Sequence, residues 1–116
     1  MRRDYQDKFA GMMAHLILWI RNEGYQVVIG EVQRSKKQAE INAKAGIGIK
    51  NSLHTVCMAV DLSLFKDGVY LTETEDYRFA GEEWERMDKE NNWGGHFNDG
   101  GHFSISYPHE GFRGVK

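Results

Sequence analysis

Two histidines and two aspartates, carried in short segments far apart along the chain, constrain this sequence more than any other feature. Ser52-Leu53-His54 comes first, Ala59-Val60-Asp61 follows, and Asp99-Gly100-Gly101-His102-Phe103 completes the set. A fold that gathers them offers two imidazoles and one carboxylate, from His54, Asp61 and His102, to a zinc ion. A fourth position is left for water, and Asp99 stands three residues before the last ligand, where it can work on that water. Three protein ligands and an open position mark a catalytic zinc, whereas a structural zinc is normally closed by four. Cys57 is the only cysteine, so neither a Cys-rich structural site nor an internal disulfide competes for this reading. The pattern points to a small zinc hydrolase.

The length of 116 residues suits one domain, residues 1–116, with a real core and no room for a second domain of any size. Fifteen basic against seventeen acidic side chains leave a net charge of −2, without the basic footprint of a nucleic-acid binder. Lys36, Lys37, Lys44 and Lys50 cluster locally and read as a solvated helix face. Met1-Arg2-Arg3 followed by Phe9 to Ile20 resembles the charged and apolar parts of a signal peptide. Asp4, Asp7 and Lys8 interrupt it, His15 lies inside the apolar run, and no small-residue cleavage site follows. The run is also too short to span a bilayer. It reads as a core helix, in a protein made in the cytoplasm without a Sec signal.

Tyr5, Phe9, Met12, Met13, Leu16, Ile17 and Ile20 recur at helical steps, predicting a helix over 4–23 that Gly24 ends. Tyr25 to Glu31 is rich in β-branched residues and predicts a strand. Ser35 and Gln38 have capping-box spacing, which starts a helix ending near Gly46 and puts Arg34 at the mouth of a strand-to-helix turn. Gly46 to Asn51 is a loop. Residues 58–65 alternate, with Met58, Val60, Leu62 and Leu64 on one face and Ala59, Asp61, Ser63 and Phe65 on the other. Asp67-Gly68 predicts a hairpin turn into Val69-Tyr70-Leu71. Tyr77, Ala80, Trp84 and Met87 mark a helix over roughly 75–90, a loop follows Asn91-Asn92-Trp93-Gly94-Gly95, and a last strand covers 102–107. The class is α+β: a small antiparallel sheet with helices on its apolar face. Its polar face, with Asp61, Ser63, His102 and Ser104, is expected to be an open groove floored by a metal.

Zinc held by two neutral imidazoles and one carboxylate keeps a net positive charge, which lowers the pKa of bound water from about 16 toward ~7. A neighbouring carboxylate can take that water's proton and return it to a leaving amine. Asp99 is the candidate, and the glycines between it and His102 allow a tight turn. Arg34, always charged and forked, suits a substrate carboxylate or a developing oxyanion. A His and an Asp seven apart, or an Asp-x-x-His, also arise by chance, and a histidine at a strand start is often packed or solvated. Favouring ligation, Asp61 and His102 both fall on polar strand faces beside small or hydroxylated neighbours.

Ser52-x-His54-x6-Asp61, then Trp93-Gly94-Gly95 and Asp99-x-x-His102-Phe103, resembles the zinc peptidoglycan peptidases of the VanY and L-alanyl-D-glutamate endopeptidase group. The resemblance runs from about Val27 to Tyr107 and includes an arginine after the first strand, here Arg34. It implies the fold shared by D-Ala-D-Ala peptidases and hedgehog domains. It also implies zinc on His54, Asp61 and His102, Asp99 as catalytic acid and base, and Arg34 and Ser52 as substrate-positioning groups. The substrate implied is the peptide stem of bacterial cell-wall peptidoglycan. Aspartate at the catalytic position is similar to phage endolysins that cut the L-alanyl-D-glutamate bond, whereas D-alanyl-D-alanine-cleaving members tend to carry glutamate. The alternatives are a D,D-carboxypeptidase or dipeptidase on the same scaffold, or a non-catalytic metal-binding phage structural protein, a reading against which Asp99 argues.

Two residues depart from the group's pattern. Cys57 replaces a glycine, which implies that the backbone there tolerates a side chain, and Cys57 reads as a small buried hydrophobe rather than a ligand. Phe97 stands where a tryptophan is common. His96 has no counterpart and reads as a surface or supporting histidine, and His15 and His109 as structural or solvated. Trp19 and Trp84 fit helix packing, and Trp93 either core or groove wall.

Overall fold

The computed structural model describes residues 2–32 and 57–107. Helix α1 spans Arg2–Asn22 and buries Phe9, Met13, Leu16 and Ile20, the stripe that the periodicity predicts. Gly24, at φ +96°, ends it in the left-handed conformation that favours glycine. Strands β1 (Gln26–Ile29), β2 (Ala59–Lys66) and β3 (Val69–Tyr70) follow. Asp67 and Gly68 join β2 to β3 with φ of +51° and +79°, the twist that suits a two-residue hairpin. A 3-10 turn at Thr74–Tyr77 leads into helix α2 (Arg78–Met87). Strand β4 (Asn91–Trp93), a second 3-10 turn at Gly94–Phe97 and strand β5 (His102–Ile105) complete the described order.

The described strands form one antiparallel sheet in the order β1-β2-β5-β4, with β3 also on β2. The fold is therefore α+β, as the strand and helix periods predict. The core lies between the sheet and the two helices. Val60, Leu64, Phe103, Ile105 and Trp84 are essentially inaccessible, and Trp84 meets Phe9 and Phe103 edge-on. The Trp84 indole N–H donates to Ser104 O at 2.9 Å, so α2 is fastened to β5 by a polar bond inside the apolar layer.

Two expectations need correction, and one segment without an expected element proves regular. Asn91 to Trp93, just before the expected loop, is a strand. Its low strand propensity is overridden by side-chain bonds from Asn91 Nδ2 to Trp84 O (2.9 Å) and from Asn92 Nδ2 to Ser106 Oγ (2.7 Å). The helix expected to 90 stops at Met87. Asp88 turns extended (φ −162°, ψ 142°), its carboxylate accepting from Glu90 N at 2.8 Å and pairing with Lys8 at the same distance. On the expected open face, Ala59 and Ser104 are fully buried, so the accessible part shrinks to Asp61, Ser63 and His102. The predicted helix after Ser35 and the loop at 46–51 lie outside the described residues.

Candidate active site

β2 and β5 pair with Asp61 directly opposite His102. Opposed residues of an antiparallel pair project from the same face, so the register alone brings these two side chains together. His102 Nδ1 lies 3.3 Å from Asp61 Oδ1, with the imidazole 13% and the carboxylate 41% exposed. Just beyond the ladder, Leu62 N donates to Gly101 O at 2.8 Å. A Cβ on Gly101 would stand 2.7 Å from Leu62 O, so this close approach of two backbones requires glycine.

Asp99 is held by the turn before β5. Its N–H donates to Gly94 O at 2.9 Å, and its own carbonyl accepts from His102 N at 3.2 Å. Asn98, at φ +60°, makes the left-handed step that reverses the chain, a conformation asparagine tolerates better than most residues. A Cβ on Gly94 would lie 2.4 Å from Asp99 O and 2.8 Å from His102 Cβ, so Gly94 lets the two candidate residues fold back over it. Trp93 is the post on which this turn is built. Its ring rests where Cβ atoms on Gly81 and Gly95 would lie, and its N–H donates to Gly100 O at 2.7 Å. At 1% exposure it is core, not groove wall.

Asp99 is exposed, and with Asp61 it lines a polar cleft of about 270 Å³. Ser63, Thr72, Glu73 and Asn98 also line the cleft, and Tyr77 stands in its wall. The Tyr77 hydroxyl accepts from Leu64 N (3.0 Å) and donates to Leu71 O (2.8 Å), bridging β2 and the chain leaving β3. Burial raises its pKa, which keeps the hydroxyl protonated as the bond to Leu71 requires. The helical pattern marks Tyr77 as an apolar contact, and nothing in it reveals the role of the hydroxyl. Glu85 also escapes sequence reasoning. Its carboxylate accepts from Trp93 N at 3.1 Å and contacts His96 Nε2 at 2.9 and 3.0 Å. The available signal is its spacing of four from Gly81, which puts both on the face of α2 that meets Trp93.

Of the expected site residues, the structure thus brings Asp61 and His102 into contact and sets Asp99 on the same cleft as Asp61. Arg34, Ser52 and His54 lie outside the described residues. Among the described residues no group of three or more His, Cys, Asp or Glu could hold a metal. Asp61 and His102 are nevertheless of the donor types that zinc takes, and they converge without intervening side chains. Cys57, half-buried, adopts φ +55°. The position is thus left-handed, which accounts for the glycine that the motif prefers, and Cys57 occupies it at a conformational cost of about 1–2 kcal/mol.

No protein-family model matches the chain, and no curated protein matches it in sequence. Among solved structures it is similar to the Serratia marcescens L-Ala D-Glu endopeptidase ChiX, with a TM-score of 0.58 and 26% identity over 68% of this chain. The chain spans 65% of the length of that enzyme. It is also similar in fold to VanY, the vancomycin-resistance D,D-pentapeptidase of the VanB-type cassette, solved as a mutant in complex with Zn(II). That match has a TM-score of 0.58 and 19% identity over 84% of this chain and 70% of the other. The helices and small antiparallel sheet described above are the α+β arrangement that these neighbours share.

Proposed function

We propose that this chain is a zinc-dependent peptidase that hydrolyses the peptide stems of bacterial peptidoglycan. The observation that carries the reading is the cross-strand pairing of Asp61 with His102 beside a cleft that Asp99 also lines. Likeness of fold to an endopeptidase and to a Zn(II)-bound pentapeptidase supports it. Fold alone does not carry an activity, so the weight rests on the side chains.

Asp61 and His102, completed by His54, would hold the zinc, which when bound supplies Lewis-acid polarisation and lowers the pKa of its water. The remaining work falls to the chain's own groups. Asp99 accepts a proton at its carboxylate during attack and returns it to the departing amine. Its exposure on the cleft gives it access to substrate, and its backbone bonds to Gly94 and His102 fix its position. Arg34 and Ser52 orient the substrate, Arg34 through a bidentate contact to a carboxylate. The bond cut is L-alanyl-D-glutamate, a reading supported by aspartate at position 99 and by the likeness to ChiX. The enzyme acts at the cell wall. No helix among the described residues is long and apolar enough to cross a membrane.

The test is digestion of purified peptidoglycan with mass analysis of the fragments. New amino-terminal D-glutamate is the expected product. Release of terminal D-alanine alone would reassign the enzyme as a D,D-carboxypeptidase, and unaltered wall with zinc-loaded protein would overturn the peptidase reading.

A further inference from the structure

Helix α2 makes its polar contact with the acid-base turn through the carboxylate of Glu85. Glu85 Oε2 accepts the backbone N–H of Trp93, where β4 ends, and both its oxygens contact His96 Nε2 near the far end of the Gly94–Phe97 turn. One side chain thus spans the turn from outside, while the Trp93 indole fastens it from inside through Gly100 O. The Asp99 amide bonds directly to Gly94 O, one residue past Trp93. A carboxylate accepting several bonds at once holds its donors more firmly than a neutral group does. The Glu85 carboxylate itself is 31% exposed and His96 46%, so neither is needed to fill the core.

We propose that Glu85, acting through His96 and Trp93, is a positioning residue that holds Asp99 in its working place. It touches no substrate. The inference rests on the peptidase reading for its catalytic consequence, but the restraint on the turn is measurable without turnover.

Hydrogen exchange on the full-length protein reads that restraint at the amides of Asp99 and His102, with Ser63 and Leu64 of β2 as internal controls. Glu85→Ala and the milder surface change His96→Ala should each speed exchange at Asp99 and His102 about tenfold. That is the effect of losing a hydrogen bond of ordinary net strength, and the β2 amides should keep their protection. Unchanged protection at Asp99 in folded His96→Ala would overturn the proposal, as would equal loss at all four amides. Turnover adds a second reading. Glu85→Gln, which keeps an acceptor for Trp93, should retain more kcat than Glu85→Ala, and KM should move little. In zinc-loaded Asp99→Asn, which has lost the group being positioned, Glu85→Ala should cost nothing further. Equal losses in both backgrounds would mean a merely structural role and overturn the inference. Full wild-type turnover in Asp99→Asn alone would instead sink the acid-base assignment of Asp99, and the positioning role with it.

Discussion

At the scale of single residues, the described part of the site depends on a few side chains whose value comes from the backbone beneath them. Asp99 is the clearest case. Asp99→Asn keeps its shape and its backbone bonds but cannot take a proton, so zinc should stay bound while peptide release falls about 10²-fold or more. Metal analysis and turnover on the same preparation check this, and a mutant that also loses zinc would identify Asp99 as a ligand. Cys57 makes the opposite kind of prediction. Its φ of +55° suits glycine, so Cys57→Gly should stabilise the protein by about 0.5–1 kcal/mol once glycine's larger unfolded-state entropy is counted. Urea denaturation of the two proteins measures it. Strand alternation makes Asp61 and His102 legible by assigning their faces, and Asp99 is legible from its place three residues before His102. The sequence hides Tyr77 and Glu85, whose roles rest on which backbone group lies nearby.

At the scale of elements, α1, β2 and the hairpin are readable because period and turn chemistry agree. β4 is not, since Asn-Asn-Trp carries neither signal and is recruited by side-chain bonds to the Trp84 carbonyl and the Ser106 hydroxyl. The fit between α2 and β4 is tight: a Cβ on Gly81 would stand 2.1 Å from the Trp93 ring. Gly81→Ala should therefore cost about 1–3 kcal/mol, the range for overpacking a core, despite alanine's better helix propensity. A thermal melt reads the cost, and a gain in stability would mean that the indole can move aside freely. The Lys8–Asp88 pair ties α1 to the end of α2. The hydrogen bond to Lys8 lowers the pKa of Asp88, and the same bond raises that of Lys8. Stability from the depressed carboxyl is present above its ordinary unfolded range and disappears as pH falls through the folded value. Stability from the raised amine is present below the ordinary lysine range and disappears as pH rises through its folded value. Lys8→Met should therefore destabilise by about 0.2–1 kcal/mol at neutral pH, a partly exposed pair being screened. That difference should shrink as pH falls below the ordinary aspartate range and the carboxyl takes up its proton in both states. Denaturation of both proteins across a series of pH values from neutral downward decides it.

Across the whole molecule, the two described candidate ligands come from separate strands, and only the folded sheet brings Asp61 to His102. A metal that binds the native state and not the unfolded chain raises apparent stability by mass action, about 2.7 kcal/mol at a free concentration one hundred times the Kd. Zinc should therefore raise the melting temperature of wild type, a chelator should reverse the rise, and His102→Ala should abolish it. A rise of equal size in His102→Ala would place the metal elsewhere. The α+β class was legible from the alternation of periods, and the described candidates Asp61, Asp99 and His102 were singled out by motif spacing joined to strand faces. The Asp61–His102 register was not, because pairing between segments so far apart depends on the intervening chain closing correctly.

That register has a consequence for how the protein is made. Asp61 and His102 are 41 residues apart in sequence, and β5 lies between β2 and β4 in the sheet. A ribosome must therefore release nearly all of the described chain before the pair can exist, and closing so long a loop carries an entropic cost that local hairpins avoid. The β2–β3 hairpin needs only local pairing, whereas the Asp61–His102 pair must wait for β5. A growing chain therefore lacks the geometry to chelate a metal through this pair. On the zinc reading proposed above, capture of the ion would mark a completed topology rather than serve as a template for reaching it.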